Sequence, residues 1–310
     1  MSKVRNAVVL MMIAALAACS NKPKTIDNEV VPATAIPTEA RPVATQVLTE
    51  APTSTPRPTL AADEWKSLPI VPAVSDTARA IYEQGLEMGN HPQTFSKVGD
   101  CQTSTDFFLV GFDHADQYRL GDEYAELQPT IDYYQGSFSR QSLAVKDGFN
   151  VAAVLSPLRA DPKQCNAGES PLACEYRLNR PSVALISMET NFNQSSADDY
   201  GRYMRQIVEY TISQGIVPVL GTKADNLEGN DAINEEIATI ANEYDIPMWN
   251  YWAASYPLPN HGFDTDLNDG FHLSFSRNFF DQHKNMLSAW PWRNLTALQV
   301  LDAMRNGLSE

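Results

Sequence analysis

Three separate segments of the chain carry side chains that could together perform nucleophilic catalysis. Cys101 ends a Gly-Asp-Cys tripeptide, Asn191 ends a Glu-Thr-Asn tripeptide, and Asp269 precedes His272 in the stretch DGFHLS. A nucleophile needs a histidine to take its proton, and that histidine needs a carboxylate on its other ring nitrogen. The Asn191 amide, with backbone N–H groups at Cys101 and near Gly136, could stabilise a tetrahedral oxyanion. This combination predicts acyl-transfer chemistry, although DGFHLS could also form an ordinary capped turn.

The segments around these residues alternate between strand and helix patterns. Apolar runs bounded by Pro or Gly predict strands, and stretches with apolar residues on one face predict helices. Such alternation is typical of a parallel sheet covered by helices on both faces. We therefore predict an α/β fold with strands at 94–99, 181–188, 216–222 and 246–252, and helices at 75–90, 198–215 and 230–245.

The predicted sheet brings the candidate residues to one edge. In parallel sheets the chemistry lies in loops at the carboxyl ends of the strands. Cys101 follows the first predicted strand directly, Asn191 follows the strand at 181–188, and Asp269 and His272 lie downstream of the last strand. The order of these motifs along the chain is more specific than any one of them alone.

The order of the blocks GDC, ETN and DGFHLS resembles the SGNH, or GDSL, hydrolase family from about residue 90 to the C-terminus. Stretches such as GSFSRQSLAV and GIVPVLGTKADN resemble a lipoprotein branch of that family. The resemblance implies a three-layer α/β/α sandwich and an enzyme that removes acyl groups from lipids, sugars or other esters. It places Cys101 at the nucleophile position, Asn191 and Gly136 at the oxyanion positions, and Asp269 and His272 in the remainder of the triad.

The chain departs from the family pattern at three positions. Cys101 replaces the usual serine, Glu189 replaces a glycine, and Phe192 replaces an aspartate. One hypothesis is an active ester hydrolase, because a thiol is a good nucleophile once its proton is removed. The alternative is a catalytically inactive module of the same fold that binds an envelope glycan or acylated ligand, with Cys101 as a small apolar residue. A purely structural surface protein is a third hypothesis.

The N-terminus has the pattern of an export signal. Lys3 and Arg5 precede an apolar run that is too short to span a bilayer, and the run ends in Leu-Ala-Ala-Cys. This order resembles a bacterial lipobox, in which Cys19 would become the lipidated first residue. The alternative is an ordinary secretory signal. We therefore predict a signal peptide at 1–18 and a lipoprotein held at the cell surface or in the periplasm.

A tether follows the predicted lipidation site. Residues 20–63 contain neither aromatic residues nor glycine, and they are rich in Thr and Pro. Such a segment cannot bury enough apolar surface to offset the entropy of ordering it. We predict a disordered, extended stalk at 19–63 and an SGNH-like domain at 64–310.

The four cysteines divide into three predicted roles. Besides Cys19, the chain has Cys101, Cys165 and Cys174. Cys165 and Cys174 bracket a short polar loop, and an exported protein could join them in a disulfide. A bond from Cys101 to either of them would leave the third thiol without a partner. We therefore predict a Cys165–Cys174 disulfide and a free Cys101.

Composition narrows the classes of partner. The net charge of −15 and the pI near 4.7 argue against binding to nucleic acid. The remaining histidines are scattered without the spacing of metal ligands, and there is no glycine-rich phosphate loop. We expect a monomer that needs no cofactor or metal and acts on a small-molecule or glycan ester.

Overall fold

Six strands are found in the part of the chain that the computed structural model describes, which comprises residues 59–104, 107–188 and 197–309. These residues belong to a compact unit, Ser54–Glu310. The predicted signal peptide, Cys19 and most of the predicted tether lie outside the described ranges. The strands are β1 (His91–Gly99), β2 (Tyr118–Arg119), β3 (Pro181–Ser187), β4 (Val217–Gly221), β5 (Met248–Trp249) and β6 (Asn278–Phe279).

Four of the strands form a parallel sheet in the order β1-β3-β4-β5. Gly99 at the end of β1 is in register with Ser187 at the end of β3. All seven residues of β3 are buried, so both faces of this strand are covered, as expected in a sheet between two helical layers. The predicted α/β fold class, with a parallel sheet flanked by helices, is confirmed. β2 and β6 pair separately as a short two-stranded sheet.

Seven α-helices accompany the strands within the described residues. The helix predicted from residue 75 begins at Ser75, whose side chain accepts a hydrogen bond from the N–H of Ala78. Beyond its C-terminus, Gly89 takes a positive φ of 84°. The helices are α1 (Asp76–Glu87), α2 (Gln128–Tyr133), α3 (Pro171–Asn179), α4 (Ala197–Ser213), α5 (Ala232–Glu243), α6 (Tyr251–Ser255) and α7 (Ala289–Gly307). None of the described helices is long and apolar enough to cross a membrane.

The strand predicted at 246–252 is shorter than expected. β5 ends at Trp249, and Asn250 begins α6 by accepting a hydrogen bond from the N–H of Ala253. The Asn250 Nδ2 also donates to the carbonyl oxygens of Trp65 and Leu68, at 2.8 and 3.0 Å. The prediction was wrong for residues 246–247, which precede β5, and for residues 250–252. At the second end the apolar run continues past a buried asparagine that caps a helix.

Cys165 and Cys174 form a disulfide, with their Cα atoms 5.3 Å apart. Cys101 is a free thiol of intermediate burial. Among the described residues, the group of side chains close enough to hold a metal ion consists of these two disulfide cysteines and Glu169. Because thiolates are the ligands and both sulfurs are already bonded to each other, this group is not a metal site.

A lysine is buried within β1. Lys97 is 1% exposed, and its Nζ donates to the carbonyl oxygen of Phe138 at 2.7 Å. Burial and the guanidinium of Arg140 lower the pKa of Lys97 from 10.5 to about 7, against the opposing effect of Glu175 and Asp113. The unfolded chain therefore binds more protons than the folded chain between these two values. Below pH 7 the buried charge of Lys97 lowers the free energy of unfolding by its full amount. This destabilisation diminishes as the pH rises from 7 to 10.5.

Replacement of Lys97 by methionine is expected to raise the free energy of unfolding at pH 6 by about 2 kcal/mol, because the removed charge penalty exceeds the lost hydrogen bond. The gain should shrink steadily at higher pH. Urea unfolding of both chains at pH 6, 8 and 9.5 measures this difference. The exposed Lys163→Met is the matched control and should show no comparable gain. A gain for Lys97→Met that grows with pH would contradict the argument.

Candidate active site

The turn after β1 presents Cys101 at the carboxyl edge of the sheet. A Cβ on Gly99 would lie 2.1 Å from the carbonyl oxygen of Ser187 and 2.4 Å from Thr103 Oγ1, so only glycine fits there. Asp100 begins a 3-10 turn by accepting the N–H of Gln102, and Thr103 Oγ1 donates to the Ser187 carbonyl at 2.7 Å. The ends of β1 and β3 are thus locked together directly below Cys101.

The thiol of Cys101 is held in its protonated form at neutral pH. Burial is the largest cause, and together with the carboxylates of Asp100 and Asp147 it raises the pKa of Cys101 to about 11. Hydrogen bonding from the backbone N–H groups of Gln102 and Cys101 opposes this rise. Cys101 therefore differs from low-pKa cysteines that attack as preformed thiolates, and it needs a base to remove its proton.

Asp269 and His272 form a hydrogen-bonded pair on one turn, as the sequence predicted. The Asp269 Oδ2 lies 2.5 Å from His272 Nδ1, and its Oδ1 accepts the N–H groups of Phe271 and His272 at 3.2 and 3.0 Å. These hydrogen bonds lower the pKa of Asp269 to about 2. The carboxylate thus stays charged at neutral pH and fixes Nδ1, which leaves Nε2 as the nitrogen that can exchange a proton.

A hydrogen bond joins the loops that carry the thiol and the histidine. Gln102 Nε2 donates to the carbonyl oxygen of Phe271 at 2.6 Å. Gln102 is the neighbour of Cys101, and Phe271 is the neighbour of His272. Gln102 and Phe271 are 169 residues apart in sequence, but their loops meet at this bond. The structure therefore brings the predicted nucleophile loop and the predicted base loop together.

Gly136 does not have the oxyanion role predicted for it. Its N–H donates to Asp113 Oδ1 at 2.7 Å, so this donor is already occupied by a carboxylate. The segment that contacts the nucleophile turn is instead the loop at 144–148. The Gly99 N–H donates to the Ala144 carbonyl, and the Lys146 N–H donates to the Gly99 carbonyl. This loop contains Gly148, with a φ of 75° and open space where a Cβ would lie.

The residues of the Glu-Thr-Asn block lie outside the described part of the chain. Asn191 therefore remains a predicted oxyanion donor, and Glu189 and Phe192 remain departures from the family pattern that are known from the sequence. β3, which leads into this block, ends at Ser187, next to the nucleophile turn. Ser187, two residues before this block, therefore lies at the carboxyl edge of the sheet.

Arg293, in α7, is a buried cation beneath the nucleophile turn that the sequence analysis did not identify. It is 1% exposed, its Nε donates to the Gln102 carbonyl at 3.0 Å, and its Nη2 donates to Ser187 Oγ at 3.1 Å. Its guanidinium carbon lies 4.8 to 5.0 Å from the ring centroids of Phe108, Trp249 and Tyr251. One side chain of α7 thereby ties the turn after β1 to the end of β3.

The charge of Arg293 is only partly compensated. Its Nη1 is buried and has no hydrogen-bond partner in the described ranges. Burial lowers the pKa of Arg293, and the nearby Tyr251, Asp100 and Cys101 oppose that effect. A positive charge on Arg293 favours negative charge on a nearby sulfur, but burial and the carboxylates of Asp100 and Asp147 dominate at Cys101 and raise its pKa.

The fold places the thiol and the Asp-His pair after two strands of the same sheet. A parallel α/β sheet carries a thiol after its first strand and an Asp-His pair after its last parallel strand. Both positions are those that the resemblance to the SGNH/GDSL hydrolases implied for a nucleophile and for the end of a triad.

The chain is similar to solved structures that are described as SGNH, GDSL-like or acyl hydrolases. A protein from Slackia heliotrinireducens described as an SGNH hydrolase is 14% identical, with a TM-score of 0.42 over 68% of this chain and 99% of that one. The lipase/acylhydrolase from Enterococcus faecalis is 13% identical, with a TM-score of 0.40 over 68% and 95%. A GDSL-like lipase from Bacteroides thetaiotaomicron is 12% identical, with a TM-score of 0.39 over 73% and 97%. No family model and no curated protein matches the chain.

Proposed function

We propose that the chain is an exported, lipid-anchored hydrolase of carbohydrate or lipid esters in which Cys101 is the nucleophile. The observation that supports this most strongly is the Asp269–His272 pair, whose loop is bonded to the Cys101 turn through Gln102 and Phe271. Export and lipidation at Cys19 rest on the sequence of the first 22 residues. They are tested separately, by asking whether Cys19→Ser moves the chain from the membrane fraction to the soluble fraction.

The proposed reaction begins with proton transfer from the thiol. His272 Nε2 accepts the Cys101 proton while the sulfur attacks the ester carbonyl carbon, and the carbonyl electron pair moves onto oxygen. Collapse of this tetrahedral oxyanion breaks the bond to the alkoxy group, which leaves as an alcohol with the proton from His272. The acyl group is then a thioester on Cys101. A water molecule, deprotonated by His272, attacks the thioester, and the released sulfur regains the proton.

The raised pKa of Cys101 favours this sequence over attack by a preformed thiolate. A thiol with a pKa of about 11 holds its proton at neutral pH. The base must therefore act in the same step as the attack, as it does for a serine hydroxyl. Asp269 contributes by keeping Nδ1 of His272 protonated and by stabilising the imidazolium that forms.

A binding module on the same fold is the second candidate function, and the protonation of Cys101 favours it. A buried thiol that stays neutral can serve as a small apolar side chain. The replacements at Glu189 and Phe192 agree with a site that has lost its catalytic requirements. In that case the cleft holds a glycan or an acylated component of the envelope without cleaving it.

Hydrolysis of p-nitrophenyl acetate by the full chain and by its Cys101→Ala and Cys101→Ser variants separates the two functions. For an active thiol enzyme we expect kcat/KM to fall at least about a hundredfold in Cys101→Ala, since a covalent route is lost. Mass spectrometry of the quenched wild type should detect an acetyl group on Cys101. Equal background rates in all three chains would refute the hydrolase proposal. Activity in Cys101→Ser alone would indicate a binding module with a dormant site.

A further inference from the structure

Two exposed phenylalanines, one from the segment after Cys101 and one from the segment after His272, form a contacting pair. Phe107 is 47% exposed and Phe275 is 62% exposed, and their ring centroids are 5.6 Å apart. Trp290 lies behind them, with its ring 5.4 Å from that of Phe107. Large aromatic rings left in water have a cost that a ligand can offset by covering them. We call Phe107 and Phe275 the aromatic shelf.

The aromatic shelf is continuous with the two loops of the candidate site. Phe107 is six residues beyond Cys101, and Phe275 is three residues beyond His272. Three extended residues span at most about 10 Å, so the Cα atom of Phe275 lies within that distance of the Cα atom of His272. A group bound on the shelf could therefore belong to the same molecule as an ester at Cys101.

A polar cavity of about 400 Å³ adjoins the aromatic shelf, and both phenylalanines line it. Asn294 fixes one wall, because its Oδ1 accepts the Leu109 N–H and its Nδ2 donates to the Phe107 carbonyl and to Asn278 Oδ1. The amide of Asn278 is thereby oriented by a buried neighbour. The other polar side chains that line the cavity are those of Asp116, Gln117, Ser276 and Arg277.

From this arrangement we infer that the aromatic shelf and its cavity bind the sugar part of an O-acylated carbohydrate, with the acyl ester directed toward Cys101. The inference rests on the proposed hydrolase function and narrows its substrate to carbohydrate esters. A sugar ring has a face of C–H groups and a rim of hydroxyls. The C–H face fits the aromatic shelf, and the hydroxyls fit the carboxylate of Asp116 and the amides of Gln117 and Asn278.

A fatty acyl chain fits this cavity less well than a sugar does. Covering the polar side chains of Asp116, Gln117 and Arg277 with methylene groups would remove their water without replacing its hydrogen bonds, which is unfavourable. A sugar replaces those hydrogen bonds with its own hydroxyls. The mixed lining, apolar on one side and polar on the other, therefore distinguishes the two substrate classes that the sequence left open.

The kinetic test uses the full chain with Phe275→Ala. For O-acetylated xylo-oligosaccharides we expect KM to rise at least tenfold relative to any change with p-nitrophenyl acetate, a difference of about 1.4 kcal/mol. Phe275→Trp keeps an aromatic ring and should restore most of the lost affinity. Leu158→Ala removes an apolar side chain that is 95% exposed elsewhere on the surface and is the matched control. A larger loss toward p-nitrophenyl octanoate than toward the oligosaccharides would overturn the inference in favour of an acyl-chain site.

A binding test separates the failure of this inference from a failure of the proposed chemistry. Titration calorimetry with Cys101→Ala and O-acetylated xylo-oligosaccharides does not depend on turnover. We expect measurable binding that Phe275→Ala weakens about tenfold and Leu158→Ala leaves unchanged. Binding by a chain that hydrolyses no ester would uphold the carbohydrate site and refute the hydrolase. If Cys101→Ala binds none of the oligosaccharides at millimolar concentration, the inference is wrong even when the wild type hydrolyses p-nitrophenyl acetate.

Discussion

Replacing His272 with alanine should lower kcat/KM for p-nitrophenyl acetate by about 10² to 10⁴-fold, the usual contribution of a general base. The effect should be large because the thiol of Cys101 holds its proton up to a pKa of about 11. A nucleophile that is already ionised loses little when its base is removed, whereas a protonated thiol loses its route to attack. Steady-state rates between pH 6 and 10 measure the loss, which should narrow toward pH 10 as hydroxide replaces the base.

His261→Ala is the matched control for this experiment. His261 is an exposed histidine whose Nδ1 lies 2.7 Å from the Tyr256 carbonyl oxygen, and its ring stacks on that of Tyr256. Its removal should leave the rate within a factor of about two, as for most surface substitutions. Asp269→Asn should fall between the two, since it removes the charge that fixes Nδ1 of His272 but keeps a polar side chain on the turn. Similar rates for the two alanine variants would exclude His272 as the base.

Arg293→Met is expected to slow the alkylation of Cys101 by iodoacetamide at pH 9 by roughly tenfold. Loss of a nearby positive charge raises the pKa of a thiol, and about one pH unit of change corresponds to tenfold less thiolate. Arg293 also holds the turn that carries Cys101 in place, because it donates to the Gln102 carbonyl and to Ser187 Oγ. Its loss should therefore affect the thiol through the structure as well as through the charge. Ester hydrolysis should fall with the alkylation rate.

Arg293→Lys separates the charge of this residue from its packing. Lysine keeps the positive charge but cannot make the two-sided contact of a guanidinium, so the alkylation rate should stay nearer to that of the wild type than in Arg293→Met. Both variants lose stability, which thermal unfolding records independently. Equal alkylation rates in folded Met and Lys variants would show that Arg293 only fills space beneath the turn.

The parts of the site that repeat a local pattern could be predicted from the sequence. Asp269 and His272 pair across a turn of four residues, and their spacing alone defines that contact. Cys101 follows a buried strand, so its place at the edge of the sheet follows from the alternation of strands and helices. The helices starting near residues 75 and 197 have apolar faces that only tertiary packing can bury.

The features that the sequence did not predict correctly all depend on contacts between residues that are distant in the chain. The resemblance to the family placed Gly136 at an oxyanion position, but its N–H donates to the carboxylate of Asp113. Arg293 resembles any other polar residue in a helix until the helix is packed against Gln102 and Ser187. The end of β5 was missed because Asn250 makes its hydrogen bonds with residues 65 and 68, far away in the chain.

The contacts of Asn250 have a mechanical consequence. A chain anchored at its N-terminus would transmit any pull from the envelope into the segment at 65–68 first. The two hydrogen bonds from Asn250 and the Trp65–Trp252 ring contact at 5.1 Å hold that segment to the end of β5 and to α6. The ion pair between Lys66 and Asp231 holds it to the start of α5. Load would therefore pass to the strand at the edge of the sheet farthest in strand order from β1, and the turn that carries the thiol would be the last strand end to feel it.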